Sequence, residues 1–274
     1  MNLRRQLKTN AKKALSGHWG RAVGITALTA AVWLVLFTVQ GLVFFLLGIR
    51  VNIGLILGGG LLPREHLHLA AVCILFALLG AAAQLPLRLG VLGWFYRLGG
   101  GEPPEIFAVF DHFSPPLSFG RALWLYARIA LGIWLRASAV FLLCGVLSAA
   151  IWTGLYAMAL SPQSAVVMIA SWLLGLCLFA VGIMWLLIAC QRYFLAPYLL
   201  AARPGLRAGQ AIRLSAQGAK GHKTALAVFA LSFWGWRILA AIIPPLGLYT
   251  LPYRLAASGL YARYLIEAGN LRDQ

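Results

Sequence analysis

Acidic residues are almost missing from this sequence. Six Asp and Glu stand against 23 Lys and Arg in 274 residues, a formal net charge of +17. Charged residues of every kind reach only 11%, against roughly 25% in a soluble domain. Hydrophobic residues make up 62%, and mean hydropathy is +0.85. That balance excludes a soluble fold and leaves a single membrane domain. The six acids, Glu65, Glu102, Glu105, Asp111, Glu267 and Asp273, lie in connections or near the ends of apolar runs. No apolar run therefore carries a carboxylate pair for acid–base work at depth, and no His lies in the interior of one.

Cysteine is scarce as well. Cys73, Cys144, Cys177 and Cys190 all sit inside apolar stretches without C-x-x-C spacing, so they read as small buried hydrophobes, not as disulfides or metal ligands. There is no H-E-x-x-H, no G-x-S-x-G and no P-loop. Glu65-His66-Leu67-His68 resembles a metal site on paper, but two imidazoles two residues apart point to different helical faces, so it reads as a wet loop. The absences together predict a non-enzymatic protein with no catalytic residue, no cofactor and no metal. Nucleic acid is excluded as a partner, because the basic residues are scattered between apolar runs and stand on no domain that could present them.

What is present is length of apolar run. A membrane span needs about 20 apolar residues to cross about 30 Å of hydrocarbon. Six runs qualify: 22–48, 67–87, 137–160, 165–190, 224–244 and 246–266. The first, Ala22 to Gly48, exceeds a signal h-region of about 7–15 residues and is expected to remain as a span. Ser161-Pro162-Gln163-Ser164 and Pro244-Pro245-Leu246-Gly247 read as tight turns. The fold class is thus an all-α polytopic membrane bundle.

Cations set its orientation. Arg4, Arg5, Lys8, Lys12, Lys13 and Arg21 precede the first span. Arg88, Arg97, Arg121, Arg128 and Arg136 follow the second. Arg192, Arg203, Arg207, Arg213, Lys220 and Lys223 follow the fourth. The opposite side carries only Arg50 and Arg64. Both termini are predicted to be cytoplasmic, with anionic lipid headgroups as the partners of these cations.

The connections carry amphipathic patterns. Leu3, Leu7, Ala11, Ala14, Leu15 and Trp19 recur at helical spacing, with Arg5, Lys8, Lys12 and Lys13 opposite. This predicts an interfacial helix with its apolar side in the acyl boundary. Ile106, Phe107, Phe110 and Phe113 form a similar short face, and Arg121 and Arg128 share another.

Leu85-Pro86-Leu87-Arg88-Leu89, followed by Arg97, matches Leu251-Pro252-Tyr253-Arg254-Leu255, followed by Arg263. Ala196-Pro197-Tyr198-Leu199 follows the fourth span in similar fashion. The chain reads as three units, near 1–98, 104–203 and 204–268, each an amphipathic segment followed by a helical hairpin. Sites in membrane proteins often lie where such repeats meet.

Arg237 and Arg254 lie within the fifth and sixth runs, at equal distances from the turn between them, about 12 Å along at 1.5 Å per residue. An Arg near the centre of a span costs about 2.5–3.5 kcal/mol or more, and no acid in a span offsets it. Snorkelling, backbone carbonyls, a wet cavity or a bound anion could each do so. Arg237 and Arg254, with Arg88 as the repeat counterpart of Arg254, are the candidate ligand-binding residues.

Leu7-Lys8-Thr9-Asn10-Ala11-Lys12-Lys13-Ala14-Leu15 with Trp19-Gly20, and Gly218-Ala219-Lys220-Gly221-His222-Lys223, resemble a known family. Ser232-Phe233-Trp234-Gly235-Trp236, Pro252-Tyr253 and Gly99-Gly100-Gly101-Glu102-Pro103 extend the likeness over nearly the whole chain. It is similar to the bacterial membrane proteins catalogued as domain of unknown function nine-seven-five. The resemblance implies a six-helix inner-membrane protein, distantly related to the membrane domain beside some glycerophosphodiester phosphodiesterases, and implies no activity. Arg237 and Arg254 depart from the apolar or neutral residues usual in that family. The functional expectation is a protein that binds or moves an anionic or amphipathic molecule, lipid foremost. The alternative is a scaffold or regulatory subunit whose amphipathic helices engage a protein partner.

Overall fold

The computed structural model describes residues 3–49, 63–101, 104–113, 116–157, 165–203 and 205–269. The turn at 161–164, Arg50, Glu102, Pro103 and Asp273, together with the side chains of Arg64, Glu65 and His66, lie outside the described residues. Every regular element among those described is helical. In chain order they are α1 (Leu3–Leu15), α2 (Trp19–Leu46), α3 (Pro63–Leu98), α4 (Pro116–Ala157), α5 (Ala165–Cys190), α6 (Ala196–Ala202), α7 (Ala208–Gly218), α8 (Lys223–Leu231), α9 (Trp234–Ile242) and α10 (Pro244–Ala268). Short 3-10 turns occupy Ile106–Phe110 and Gln191–Tyr193.

Five stretches are long and apolar enough to cross a membrane: Trp19–Leu46, Leu67–Leu98, Ser118–Leu155, Val167–Ala202 and Lys223–Ile242. The sixth predicted run falls inside α10, a helix of 25 residues that is less apolar than the others. Its surroundings explain the difference. Thr250, Tyr253, Ala256, Tyr261 and Leu265 of α10 are buried inside the protein, so this helix is shielded from lipid by its neighbours. The turn before it also differs from expectation. Only Ile243 separates α9 from α10, and Pro244 and Pro245 open the new helix, where a missing N–H leaves nothing unpaired.

The helices are longer than hydrocarbon requires. At 1.5 Å per residue, the 36 residues of α3 and 42 of α4 run about 54 and 63 Å, against about 30 Å of hydrocarbon. Their basic ends build the core. Leu87, Val91, Trp94 and Phe95 of α3 pack with Leu195, Tyr198 and Leu199 near α6, with Leu226 and Phe229 of α8, and with Tyr253, Ala257 and Tyr261 of α10. Away from this core Phe37, Phe45, Leu142, Trp172 and Leu176 are exposed. An apolar surface of that extent suits a membrane surrounding.

Close helix approach uses glycine. A Cβ on Gly259 of α10 would lie 2.8 Å from the Phe95 carbonyl oxygen of α3, and one on Gly93 would lie 3.1 Å from the Ala201 methyl. Small residues at such crossings are the usual route to tight helix packing in membranes. Gly93 and Gly259 each stand seven residues past a proline, Pro86 and Pro252. Both prolines lie inside continuous helices, whereas Pro197 opens the short α6 after a 3-10 break. All three are buried.

The N-terminal helix corrects one expectation. Leu7, Ala11 and Leu15 of α1 are buried, in the same core as Tyr253, Ala256 and Ala257. The apolar side predicted for the acyl boundary is covered by α10. Gly17, at φ +82°, turns the chain into α2, and Trp19 stacks on Tyr249 of α10 at 4.7 Å. In the 106–113 segment Val109 is the anchor, seated against Gly90, while Phe107 and Phe113 remain exposed.

Candidate functional site

A cavity of about 440 Å³ opens where the three predicted units meet. The proline-following Arg88 of α3 and Arg254 of α10 both line it, as does Arg237 of α9. All three sequence-predicted residues thus share one cavity. Arg254 is partly buried, while Arg88 and Arg237 keep exposed surface. Arg254 lies within electrostatic reach of both other guanidinium groups. Among the described residues no acid lines the cavity. The ion pairs Arg97–Asp111 at 3.4 Å and Arg263–Glu267 at 3.0 Å engage other cations.

Around the arginines the lining is aromatic. Arg88 stands 5.7 Å from the centre of the Tyr126 ring. The Tyr126 hydroxyl is buried and has no hydrogen-bond partner, an arrangement that costs about 1–3 kcal/mol unless something else satisfies it. Tyr198 pairs with Ser258 across α6 and α10. Phe194, Phe229 and Phe233 complete the wall.

A second cavity, about 420 Å³, adjoins the first and shares Phe233, Arg237 and Arg254 with it. Ala30, Ala240, Ala241, Leu248 and Leu251 make it predominantly apolar. Of the residues common to both cavities, Phe233 lies in the interruption between α8 and α9 at Ser232 and Phe233, and Arg237 lies in the first turn of α9. There the Ser232 hydroxyl donates to the Phe229 carbonyl. Lys8 of α1 donates to the Ser232 carbonyl at 3.4 Å and lies 4.5 Å from the centre of the Phe233 ring. Burial pushes the Lys8 ammonium below its usual pKa, and Arg4 adds to that shift.

A larger cavity, about 670 Å³, lies between α4 and α5 and is predominantly apolar. Its arginine, Arg136, is already engaged, donating to the Gly132 carbonyl at 2.6 Å and to the Tyr193 hydroxyl. No comparable partner occupies Arg88, Arg237 or Arg254 among the described residues. The described residues also bring no three His, Cys, Asp or Glu side chains together in a metal-binding group.

Sequence reasoning missed Tyr126, Tyr198 and Phe233 as site residues. Tyr126 is one aromatic in a long apolar helix, with no local mark of its role. Phe233 did carry a signal: it follows Ser232 and precedes Trp234-Gly235, a poor helix interior because glycine weakens it. What these residues share is a wall rich in cations and hydrogen-bond donors. Such a wall can hold an anion beside an apolar compartment.

No curated protein and no solved structure matches the chain. One family model does, that of the protein of unknown function DUF975, over residues 1–268. By that match across nearly its whole length, the chain belongs to the DUF975 family.

Proposed function

We propose that this is a six-span protein of the bacterial cytoplasmic membrane, with both termini in the cytoplasm, that binds or moves an anionic amphipathic molecule. The one observation that carries the reading is the convergence of Arg88, Arg237 and Arg254 on a cavity without an acid. Three like charges repel at short range, and the low dielectric of a membrane interior strengthens that repulsion. A bound anion offsets it, and guanidinium suits phosphate or carboxylate through bidentate bonds. The lopsided placement of Lys and Arg supports the orientation, and the shielding of α10 by protein supports counting it as the sixth span.

The reading is non-enzymatic. Among the described residues no carboxylate or imidazole lines the cavity, so proton transfer there at neutral pH would have no ordinary donor or acceptor among them. Kinship with the membrane domain beside some glycerophosphodiester phosphodiesterases, carried by the resemblance of motifs, belongs to the same reading. Scaffolding through α1 is the weaker alternative, because its apolar face is occupied by the protein's own core.

Native mass spectrometry of the purified protein tests the proposal. Arg254→Leu and Arg88→Leu should lose retained anionic lipid, with Arg→Lys keeping part of it. Retention unchanged in both leucine variants would refute it.

A further inference from the structure

Resting on the anionic-ligand reading of this cavity, we infer that its ligand is a lipid ending in a phosphate monoester, with the phosphate among Arg88, Arg237 and Arg254 and the chain in the adjoining apolar cavity.

Charge decides the headgroup class. Among the described residues the cavity wall carries three guanidinium groups and no carboxylate. A phosphate monoester carries about −1.5 to −2 at pH 7, because its second pKa is near 6. Nearby cations favour its fully ionised form. A phosphodiester carries a single negative charge and leaves most of the cluster unneutralised. An ethanolamine or choline headgroup fits worse still. Its ammonium would enter a site with no carboxylate to receive it and three like charges to repel it.

Donor count agrees. Terminal phosphate presents three oxygens to the protein, where a diester presents two, and each guanidinium can donate two parallel bonds. The Tyr126 hydroxyl supplies another donor. It is buried beside Arg88 and has no partner, so a phosphate oxygen would satisfy a group the protein itself leaves unpaired.

The second cavity selects a lipid over a free phosphate. Arg237 and Arg254 line both cavities, so a phosphate held by them stands at the edge of an apolar compartment of about 420 Å³. Ala30, Ala240, Leu248 and Leu251 line that compartment. A ligand whose apolar part begins next to its phosphate uses both. Inorganic phosphate uses only one.

The test is a ligand series on the intact protein in detergent, read by displacement of a fluorescent short-chain lipid phosphate. The competitors are short-chain phosphatidic acid, phosphatidylglycerol of the same chains, the matching diacylglycerol and inorganic phosphate. Phosphatidic acid should compete at least about tenfold better than phosphatidylglycerol, the size expected for one further charge-assisted hydrogen bond. That preference should widen from pH 5 to pH 8 as the monoester gains its second charge. Arg88→Gln and Arg254→Gln should each reduce it.

Equal competition by the diester overturns the monoester assignment while leaving the anionic-lipid reading intact. Inorganic phosphate competing as well as phosphatidic acid overturns the lipid assignment. Indifference of all four competitors to the arginine substitutions overturns the anion site itself. The ligand comparison on the unsubstituted protein decides the headgroup class even where a variant fails to fold.

Discussion

Lys8 and Phe233 are 225 residues apart in the chain, yet the Lys8 ammonium lies 4.5 Å from the Phe233 ring centre and 3.4 Å from the Ser232 carbonyl. The N-terminal helix thereby braces the interruption in the fifth span. Phe233 belongs to the wall of both adjoining cavities, so the brace also holds a wall residue that the two share. Lys8→Met should remove a cation–π contact of about 0.5–1 kcal/mol. Hydrogen exchange of the amides at 231–236 should rise in Lys8→Met and stay near normal in Lys8→Arg. Unchanged exchange in the methionine variant would show that the brace holds nothing.

Gly259 of α10 permits a tight helix crossing in the core. A methyl there would meet the Phe95 carbonyl oxygen at 2.8 Å and its carbon at 3.0 Å. These atoms belong to a helix backbone and cannot rotate away. Gly259→Ala should therefore destabilise the protein by about 1–3 kcal/mol. Gly80, with nothing within 4 Å of its Cβ position, is the control. Gly80→Ala should be neutral or slightly stabilising through helix propensity. Thermal unfolding of both variants in one detergent checks the pair.

His112 ties the second connection to pH. Its side chain is buried, and burial pushes the imidazole below 6.5, with Asp111 pulling the other way and Arg97 reinforcing the shift. The sign follows from proton counting. Between the lowered folded value and 6.5 the unfolded chain binds the proton and the folded chain does not. Stability therefore falls as pH falls through that window, and His112 contributes no pH dependence above it. Limited proteolysis within 104–113 should accelerate on acidification from pH 7.5 to 5. His112→Gln should remove that acceleration, and its persistence in the variant would assign it to other groups.

Much of the fold was legible because lipid imposes a simple rule: residues facing it must be apolar over a span's length. The end of α5 at Cys190 coincides with the predicted end of the fourth run for this reason. The sixth run, 246–266, was read by the same rule, but its helix is not among the five stretches apolar enough to span, because protein surrounds much of it. The fate of α1 was also hidden. An apolar stripe of Leu7, Ala11 and Leu15 suits an acyl boundary or a protein groove equally well, and only the small residues Ala256 and Ala257 of α10 decide for the groove. Of the candidate site, the arginines stood out because charge is rare in apolar runs. Their aromatic neighbours did not, because an aromatic in such a run is ordinary.

Orientation can be checked directly. With Cys73, Cys144, Cys177 and Cys190 replaced, single cysteines at positions 110 and 210 should resist an impermeant thiol reagent in intact cells and react once the membrane is opened. The basis is the excess of Lys and Arg in those connections. Labelling of either position in intact cells would overturn the proposed topology.

A sharp probe of the cavity is a hydroxyl there that the protein leaves unsatisfied. The Tyr126 hydroxyl is buried without a hydrogen-bond partner, so in the ligand-free protein it contributes a desolvation cost and no bond. Tyr126→Phe removes that cost while keeping the ring under Arg88. Thermal stability without ligand should therefore stay within about 0.5 kcal/mol or rise. A bound anion changes the balance, because the hydroxyl then donates to it. The stabilisation produced by added lipid phosphate should shrink in Tyr126→Phe, consistent with an affinity loss of about tenfold for a bond to a charged oxygen. A structural role alone predicts the reverse: lower stability without ligand and an unchanged ligand-induced shift. The two readouts together separate a tyrosine kept for packing from one kept for an anion.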